Sequence, residues 1–247
     1  MEKEIVLKRL SKEFKDVKAV KDLSFDIQQG ELFGLLGPNG AGKTTTVRML
    51  CGLLAPSSGT ATYGSLDIRT DLREIKSRIG VCPQEAAVIK FLSGKENIEL
   101  MGKLHGLEKH LIKERTEMML EESGFNEAAR RKTKGYSGGM LRQLNLMMAL
   151  ISDPDIIFLD EPTVGMDARA RRRTWSYIAD LKTQGKTIVL TTHYIEEAQS
   201  LSDRVGIIDY GELIALGSPE SLMRQYQAKD LESVFLTITG RRIAEGS

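Results

Sequence analysis

Residues 32–45 read Leu-Phe-Gly-Leu-Leu-Gly-Pro-Asn-Gly-Ala-Gly-Lys-Thr-Thr, and they constrain the fold more than any other part of the chain. The first five of them, Leu32–Leu36, form a nearly continuous apolar run, which predicts a β-strand covered on both faces. The residues from Lys43 to Leu50 predict a helix. Between the two, a pair of glycines with four residues between them is followed by Lys43 and Thr44. This matches the phosphate-loop pattern, which links a strand to a helix.

The phosphate loop, residues 37–45, predicts a nucleotide site. Its glycines can take backbone angles closed to other residues, so that successive N–H groups point at phosphate oxygens near a helix N-terminus. Lys43 would reach the β- and γ-phosphates, and the Thr44 hydroxyl would ligate Mg²⁺. The alternative is an ordinary glycine-rich turn, but the flanking strand and helix favour the phosphate loop. The predicted nucleotide contacts are Gly37, Pro38, Asn39, Gly40, Ala41, Gly42, Lys43, Thr44 and Thr45.

A second motif, Ile156-Ile-Phe-Leu-Asp160-Glu161-Pro162, is a short apolar strand that ends in two carboxylates. A carboxylate pair at a strand end suits a metal and water site beside bound phosphates. We expect Asp160 to hold Mg²⁺ through water and Glu161 to act as the general base that polarises the attacking water. The alternative is a pair of solvated or capping acids, and the phosphate loop makes the catalytic interpretation the stronger one.

The composition excludes several classes of protein. The 247 residues include 35 Lys and Arg against 34 Asp and Glu, a net charge of +1, which argues against a strongly basic nucleic-acid binder. No apolar run approaches the roughly 18 residues that cross a bilayer, and the charged start lacks a secretory signal. The two cysteines, Cys51 and Cys82, predict no disulfide framework and a reducing compartment.

The order of the elements predicts an α/β fold. Strands such as Ile5–Leu10 and Leu23–Ile27 dominate the first third, a turn is expected at residues 56–59, and strands alternate with helices again after Pro154. Between them, only helical segments are expected. We predict a mostly parallel sheet with an N-terminal antiparallel β part and an inserted helical subdomain. Within a single domain, the predicted parts are a nucleotide-binding core at 1–92 and 152–220, a helical subdomain at 93–151 and a C-terminal extension at 221–247.

Two further sets of residues predict structure rather than chemistry. One set of four methionines should fill the core. A basic run at the start of a predicted helix should be a solvated face. The methionines are Met118, Met119, Met147 and Met148, and the arginines are Arg169, Arg171, Arg172 and Arg173.

A third motif, Tyr136-Ser-Gly-Gly-Met140, precedes an apolar helix that should be buried. A serine at a helix start is commonly an N-cap. Together with the other motifs and their order, however, the chain resembles the ATP-binding subunits of ABC transporters, which are P-loop NTPases, over nearly its whole length. The resemblance implies that the signature segment, Ser137–Gly139, binds the γ-phosphate of ATP held by a second subunit. The flanking Tyr136 and Met140, where the family more often has Leu and Gln, resemble the exporters of drugs and small molecules.

The resemblance also implies roles for four single residues. Gln84 would sense Mg²⁺ and water and link the site to a membrane partner, and Asp167 would contact the second subunit. His193 would contact the γ-phosphate, and Phe14 would stack on adenine. The respective alternatives are a loop amide, a helix N-cap, a structural histidine and a core phenylalanine.

The function implied by this resemblance is hydrolysis of ATP, with Mg²⁺, to power a membrane transporter. Expected partners are a separate transmembrane permease and a second ATP-binding subunit, identical or different, with no nucleic acid, at the cytoplasmic face of the membrane. The end of the chain from Leu231 to Gly240 resembles drug-exporter subunits, although Ser233 replaces an acid, and a generic strand or helix is the alternative.

Non-transport relatives in DNA repair or on ribosomes remain the alternative function, but the chain lacks long heptad repeats and a second phosphate loop. A GTPase or small kinase is a further alternative, but no Asn-Lys-x-Asp guanine reader is present, and a kinase would not need Ser137–Gly139.

Overall fold

The computed structural model describes the backbone of residues 2–245 and the side-chain surroundings of residues 2–240. The strands are β1 (Lys3–Phe14), β2 (Val17–Gln28), β3 (Leu32–Leu36), β4 (Ser58–Tyr63), β5 (Leu66–Asp67), β6 (Ile79–Cys82), β7 (Ile156–Asp160), β8 (Thr187–Thr192), β9 (Arg204–Asp209) and β10 (Glu212–Gly217). The helices are α1 (Lys43–Leu50), α2 (Leu72–Arg78), α3 (Gly94–Leu104), α4 (Lys109–Glu122), α5 (Asn126–Ala129), α6 (Gly138–Leu150), α7 (Ala168–Thr183), α8 (Ile195–Leu201), α9 (Pro219–Gln225) and α10 (Leu231–Glu245).

The larger sheet has the strand order β10-β9-β3-β8-β7-β6, and only β10 pairs with its neighbour in the antiparallel sense. Every residue of β3, β7 and β8 is buried, which confirms the prediction of a mostly parallel sheet covered on both faces. Leu36 is level with Thr192, and Asp160 with Thr191. The carboxyl ends of three neighbouring strands therefore meet at one edge, where α/β proteins bind their ligands.

The smaller sheet, β2-β1-β4-β5, is antiparallel, as the sequence predicted for the N-terminal part. Strands β4 and β5 are a correction, because the sequence indicated only a turn at residues 56–59. Ala61 and Tyr63 alternate with partly exposed neighbours in β4, so that one face of the strand is buried. The small and polar residues between them hide this pattern in the sequence.

Helix α1 lies in the core between the two sheets. Phe33 and Leu35 of β3 share this core with Val47 and Met49 of α1. The alternate residue Leu32 faces a second core, which is built mainly from the helices between β6 and β7 and from α7. Alternation along β3 thus places apolar side chains in both layers, and the phosphate loop is fixed at the junction of β3 and α1.

The chain between β6 and β7 is helical, as predicted, while its division from the ATP-binding core stays a prediction. Helix α6 is fully buried from Leu144 onward. Three of the four methionines are buried as predicted. The prediction is wrong for Met118, because this side chain is 50% exposed on α4.

A third core joins α8, α9 and α10 to β9, and Leu231 to Leu236 lie in a helix. None of the described helices is both long and apolar enough to span a membrane.

Candidate functional site

The phosphate loop leaves β3 and enters α1 through two glycines with positive φ. Gly40 has φ +83° and Gly42 has φ +104°, in the left-handed region that disfavours other residues. A Cβ atom on Gly42 would lie 2.5 Å from the carbonyl oxygen of Ala19, so the close approach of β2 also requires glycine there. The first turn of α1 presents backbone N–H groups that no helical carbonyl can accept. These donors fit an anion such as a phosphate.

Lys43 is the buried cation of the loop, and 5% of its side chain is exposed. Its ammonium donates to the carbonyl oxygens of Gly37 at 2.8 Å and Pro38 at 3.1 Å, and it lies 3.3 Å from Glu161 Oε1. The positive charge is thus held under the loop by two carbonyls and one carboxylate. The same ammonium is placed to neutralise a phosphate that enters the loop.

Asp160 and Thr44 provide oxygen ligands beside the loop. The Thr44 hydroxyl donates to Asp160 Oδ1 at 3.1 Å, and the Thr191 hydroxyl donates to the same oxygen at 2.6 Å. The described residues contain no group of three or more His, Cys, Asp or Glu that could hold a metal. One carboxylate and one hydroxyl suit Mg²⁺, which takes few protein oxygens and completes its shell with water and phosphate. The residues present therefore fit the Mg²⁺ site that the sequence predicted.

Glu161 and His193 meet at the edge of the sheet. Glu161 is 4% exposed, and its Oε2 lies 2.7 Å from His193 Nδ1. The backbone of Glu161 has φ +53°, an unusual value for a glutamate, and the Thr191 hydroxyl accepts its N–H at 3.1 Å. Strained backbone is typical of functional sites where neighbours fix one conformation. This carboxylate, with Lys43 on one oxygen and His193 on the other, is placed to accept a proton from water.

Ser137 and Asp167 are the N-caps of α6 and α7, which is the structural role that the sequence offered as an alternative to nucleotide or subunit contact. Ser137 Oγ accepts the N–H of Met140 at 3.3 Å, and Asp167 Oδ1 accepts the N–H of Ala170 at 2.8 Å. That backbone hydrogen bond lowers the pKa of Asp167 below its ordinary value. Both caps are exposed. A cavity of about 420 Å³ between α6 and α7 has both residues in its wall.

The signature segment does not reach the phosphate loop of its own chain. Among residues 2–240, no hydrogen bond or ion pair joins Ser137, Gly138 or Gly139 to residues 37–45. A Cβ atom on either glycine would meet nothing within 4 Å. The backbone of this segment is therefore open to a second molecule.

Among the described residues, neither Gln84 nor Phe14 forms a hydrogen bond or ion pair with Lys43, Asp160 or Glu161. Gln84 is exposed in the loop after β6. Phe14 is 45% exposed at the end of β1, and the ammonium of Lys12 lies 5.1 Å from its ring centroid. This exposure excludes the alternative of a core phenylalanine. An exposed aromatic ring of this kind can stack on a planar base.

Several residues that position the site were missed in the sequence. Thr191 holds both Asp160 and Glu161, and the pairing of two parallel strands could have revealed it. Arg142 and Asn145 of α6 donate to the carbonyl oxygen of Pro83 at 3.2 Å and 3.1 Å, and thereby tie the loop that carries Gln84 to the signature helix. Sequence periodicity carries no signal for such a contact between distant residues.

The geometry agrees with comparisons to known proteins. The family model described as "ABC transporter" matches residues 20–164 of this chain. The chain belongs to the ABC transporter family. Its phosphate loop and carboxylate pair lie within the matched region, and His193 lies beyond it.

Curated relatives cover most of the chain. The linearmycin resistance ATP-binding protein LnrL of Bacillus subtilis is 41% identical and covers 90% of this chain and 70% of its own length. The daunorubicin/doxorubicin resistance ATP-binding protein DrrA of Streptomyces peucetius is 40% identical over 86% of this chain. This chain spans 64% of DrrA, slightly less than two thirds. The ABC transporter ATP-binding protein NatA of Bacillus subtilis is 40% identical over 97% of this chain and 100% of its own length.

Solved structures agree on the fold. The ATP-binding subunit of an ABC transporter aligns with a TM-score of 0.86 at 24% identity, over 95% of this chain and 99% of that one. The cassette MJ0796, solved as a dimer in a post-hydrolysis state with ADP and Pi, aligns with a TM-score of 0.81 at 25% identity, over 87% and 98%. The chain is thus an ABC ATPase with the P-loop NTPase fold, as the sequence predicted.

Proposed function

We propose that this ATPase powers a membrane transporter that exports drugs or other small molecules. The observation that carries the proposal is the identity of 40% or more to two drug-resistance ATP-binding proteins over at least 86% of the chain. NatA and the first of the two solved structures are named as parts of ABC transporters, which does not favour a role in DNA repair or on ribosomes. The chain would act at the cytoplasmic face of the membrane, attached to a permease.

Nucleotide binding begins at the phosphate loop. The N–H groups of residues 37–45 surround the phosphates, and Lys43 moves its charge from Glu161 to the β- and γ-phosphates. Thr44 and Asp160 would hold Mg²⁺, Asp160 through water, and Gln84 would contribute its side-chain amide oxygen. Bound Mg²⁺ supplies charge neutralisation on the phosphate oxygens. Phe14 stacks on the adenine ring.

Hydrolysis depends on Glu161 and His193. Once Lys43 turns to the phosphates, Glu161 Oε1 is free to orient a water molecule in line with the γ-phosphate and to take its proton. A hydrogen bond from His193 Nδ1–H to Glu161 Oε2 would fix the imidazole beside the carboxylate that acts as the base. Both side chains are held before substrate arrives, which lowers the reorganisation that the reaction requires.

A second copy of the chain completes the site. The signature segment is open in one chain and has no bond to its own phosphate loop, so it is free to cover the nucleotide of a facing copy. Two copies related by a two-fold axis would form two such sites, with Asp167 of each copy at the contact. Closure on ATP and opening after hydrolysis would provide the mechanical step.

The membrane partner is expected on a groove beside the loop that carries Gln84. The groove has a volume of about 310 Å³, and its lining residues include Phe91, Tyr136 and Lys134. Phe91 is 79% exposed, and Ile89 beside it is 46% exposed. An exposed aromatic with flanking lysines fits a permease segment with an apolar anchor and acidic neighbours. Because Tyr136 lines the groove and directly precedes the signature segment, a movement of α6 would change the shape of the groove.

Phe91→Asp should uncouple the chain from its permease. We expect co-purification with the membrane subunit to fall at least tenfold, because an aromatic anchor at an interface is commonly worth about 2 kcal/mol or more. Binding of Mg-ATP to the isolated chain should stay unchanged. Leu104→Asp is the matched control, since Leu104 is 72% exposed at the far end of α3. Equal retention of the permease by both variants would exclude this groove as the docking site.

Reconstitution tests the direction of transport. The chain and the membrane subunit that co-purifies with it are placed in vesicles with the ATP-binding face outward. We expect ATP to drive a drug such as daunorubicin into the vesicle lumen, which corresponds to export. Movement out of the lumen would contradict export while leaving the ATPase assignment intact.

A further inference from the structure

We propose that Glu197 is a positioning residue for ATP hydrolysis, because its buried carboxyl ties helix α7 to the two segments that carry Glu161 and His193. The inference rests on the proposed function, since it assigns a role within the hydrolysis step. Glu197 lies in α8, four residues after His193, and is 0% exposed. A carboxyl group is seldom buried so completely without a specific reason.

One oxygen of Glu197 joins two other parts of the chain. Its Oε1 accepts the Thr163 hydroxyl at 2.7 Å and the Trp175 indole N–H at 2.8 Å. Thr163 lies two residues after Glu161, and Trp175 lies in α7, the helix that Asp167 caps. A single carboxylate oxygen therefore links the catalytic loop, the helix of the proposed dimer contact and the helix that follows His193.

A second contact joins α7 to the segment of His193. The Arg171 guanidinium lies 5.8 Å from the Trp175 ring centroid and 5.6 Å from that of Tyr194. The rings of Tyr194 and His193 are 4.2 Å apart. The sequence predicted a solvated face for Arg171, and for this arginine the prediction is wrong, since it packs on two aromatic rings.

Burial of this carboxyl is unfavourable by itself. It raises the pKa of Glu197 above its ordinary value, while the side chains of Thr192, Thr163 and Trp175 oppose this by hydrogen bonding. A buried carboxyl therefore destabilises the fold unless such partners compensate. The gain, in our interpretation, is the geometry that Oε1 imposes on Thr163 and Trp175.

That geometry bears directly on Glu161. Only Pro162 separates Glu161 from Thr163, and the ring of a proline fixes φ. A shift of Thr163 would therefore move the strained backbone of Glu161 and its carboxylate. A displacement of about 1 Å in a catalytic group can lower the rate roughly a hundredfold. Movement of α7 against a partner subunit would reach Glu161 through the same bonds.

Steady-state ATPase assays on the full chain test this role. Trp175→Phe removes the N–H donor but keeps a ring beside Arg171, and Thr163→Val removes the hydroxyl at nearly constant volume. We expect each to lower kcat about tenfold at unchanged KM for ATP. Their combination should cost less than the product of the two losses, because both act through Glu197. Glu197→Gln keeps an acceptor for both donors, so kcat should stay within about threefold of wild type.

Three outcomes would overturn the inference. The first is a kcat per folded molecule equal to wild type for Trp175→Phe and Thr163→Val, even if both melt earlier, because that result indicates a structural role only. The second is a loss in Glu197→Gln as large as in Glu197→Leu, because that would implicate charge rather than hydrogen bonds. The third is a loss of kcat in the double variant that equals the product of the losses in Trp175→Phe and Thr163→Val. Absence of hydrolysis by the wild-type chain would instead contradict the proposed function, so the two failures are distinguishable.

Discussion

Glu161→Gln should lower kcat for ATP roughly 10²–10⁴-fold, the usual contribution of a general base. A side-chain amide is far too weak a base to take the proton from the attacking water at neutral pH. The change preserves the size of a side chain that is 4% exposed between Lys43 and His193. Affinity for Mg-ATP should not fall, and calorimetry combined with single-turnover hydrolysis would separate binding from chemistry.

A matched control for this change is Glu196→Gln, which alters an exposed carboxyl close to His193 in sequence. It should hydrolyse ATP at the wild-type rate. If Glu161→Gln also turned over at the wild-type rate, Glu161 would not be the base. The next candidate would then be His193, whose Nδ1 bonds to this carboxylate.

Lys43→Ala should weaken binding of ATP rather than slow a bound complex. A hydrogen bond to a charged group is worth about 2 kcal/mol, which corresponds to a loss of roughly thirtyfold in affinity. The change also removes the cation that lies 3.3 Å from Glu161 Oε1, so that a buried carboxylate loses its counter-charge. We therefore expect a lower melting temperature as well as a larger Kd for Mg-ATP by calorimetry.

Lys113→Ala provides the control, since Lys113 is exposed on α4 and far in sequence from the phosphate loop. It should leave both Kd and the melting temperature unchanged. Wild-type affinity in Lys43→Ala would show that the loop N–H groups bind the phosphates without the ammonium. That result would contradict the role of Lys43.

The sequence predicted those parts of the fold and of the candidate site that depend on short local patterns. The phosphate loop follows one buried apolar strand, Asp160 and Glu161 lie at the end of another, and parallel strands bring their carboxyl ends together. Local patterns of this kind fix both the residue types and their approximate place. Helix α6 and the burial of β3 were predicted for the same reason, because each shows a clear hydrophobic pattern.

What the sequence missed depends on contacts between distant segments. Glu197 is an ordinary helix residue until packing places it against Thr163 and Trp175, and nothing in its neighbours predicts burial. The bonds from Asn145 and Arg142 to Pro83 likewise arise from the docking of α6 on the loop after β6. Strand β4 was missed because its small residues resemble a turn. The role of the signature segment came from a family resemblance, since one chain alone leaves Ser137 a simple N-cap.

The central claim is that ATP bound by one phosphate loop is sealed by the signature segment of a facing copy. The most direct test is the mass of the Glu161→Gln chain in solution, measured by light scattering with Mg²⁺ and either ATP or ADP. We predict a dimer with ATP and a monomer with ADP, because only the γ-phosphate reaches Ser137–Gly139 of the second copy. A chain that stays monomeric while carrying bound ATP would contradict the account.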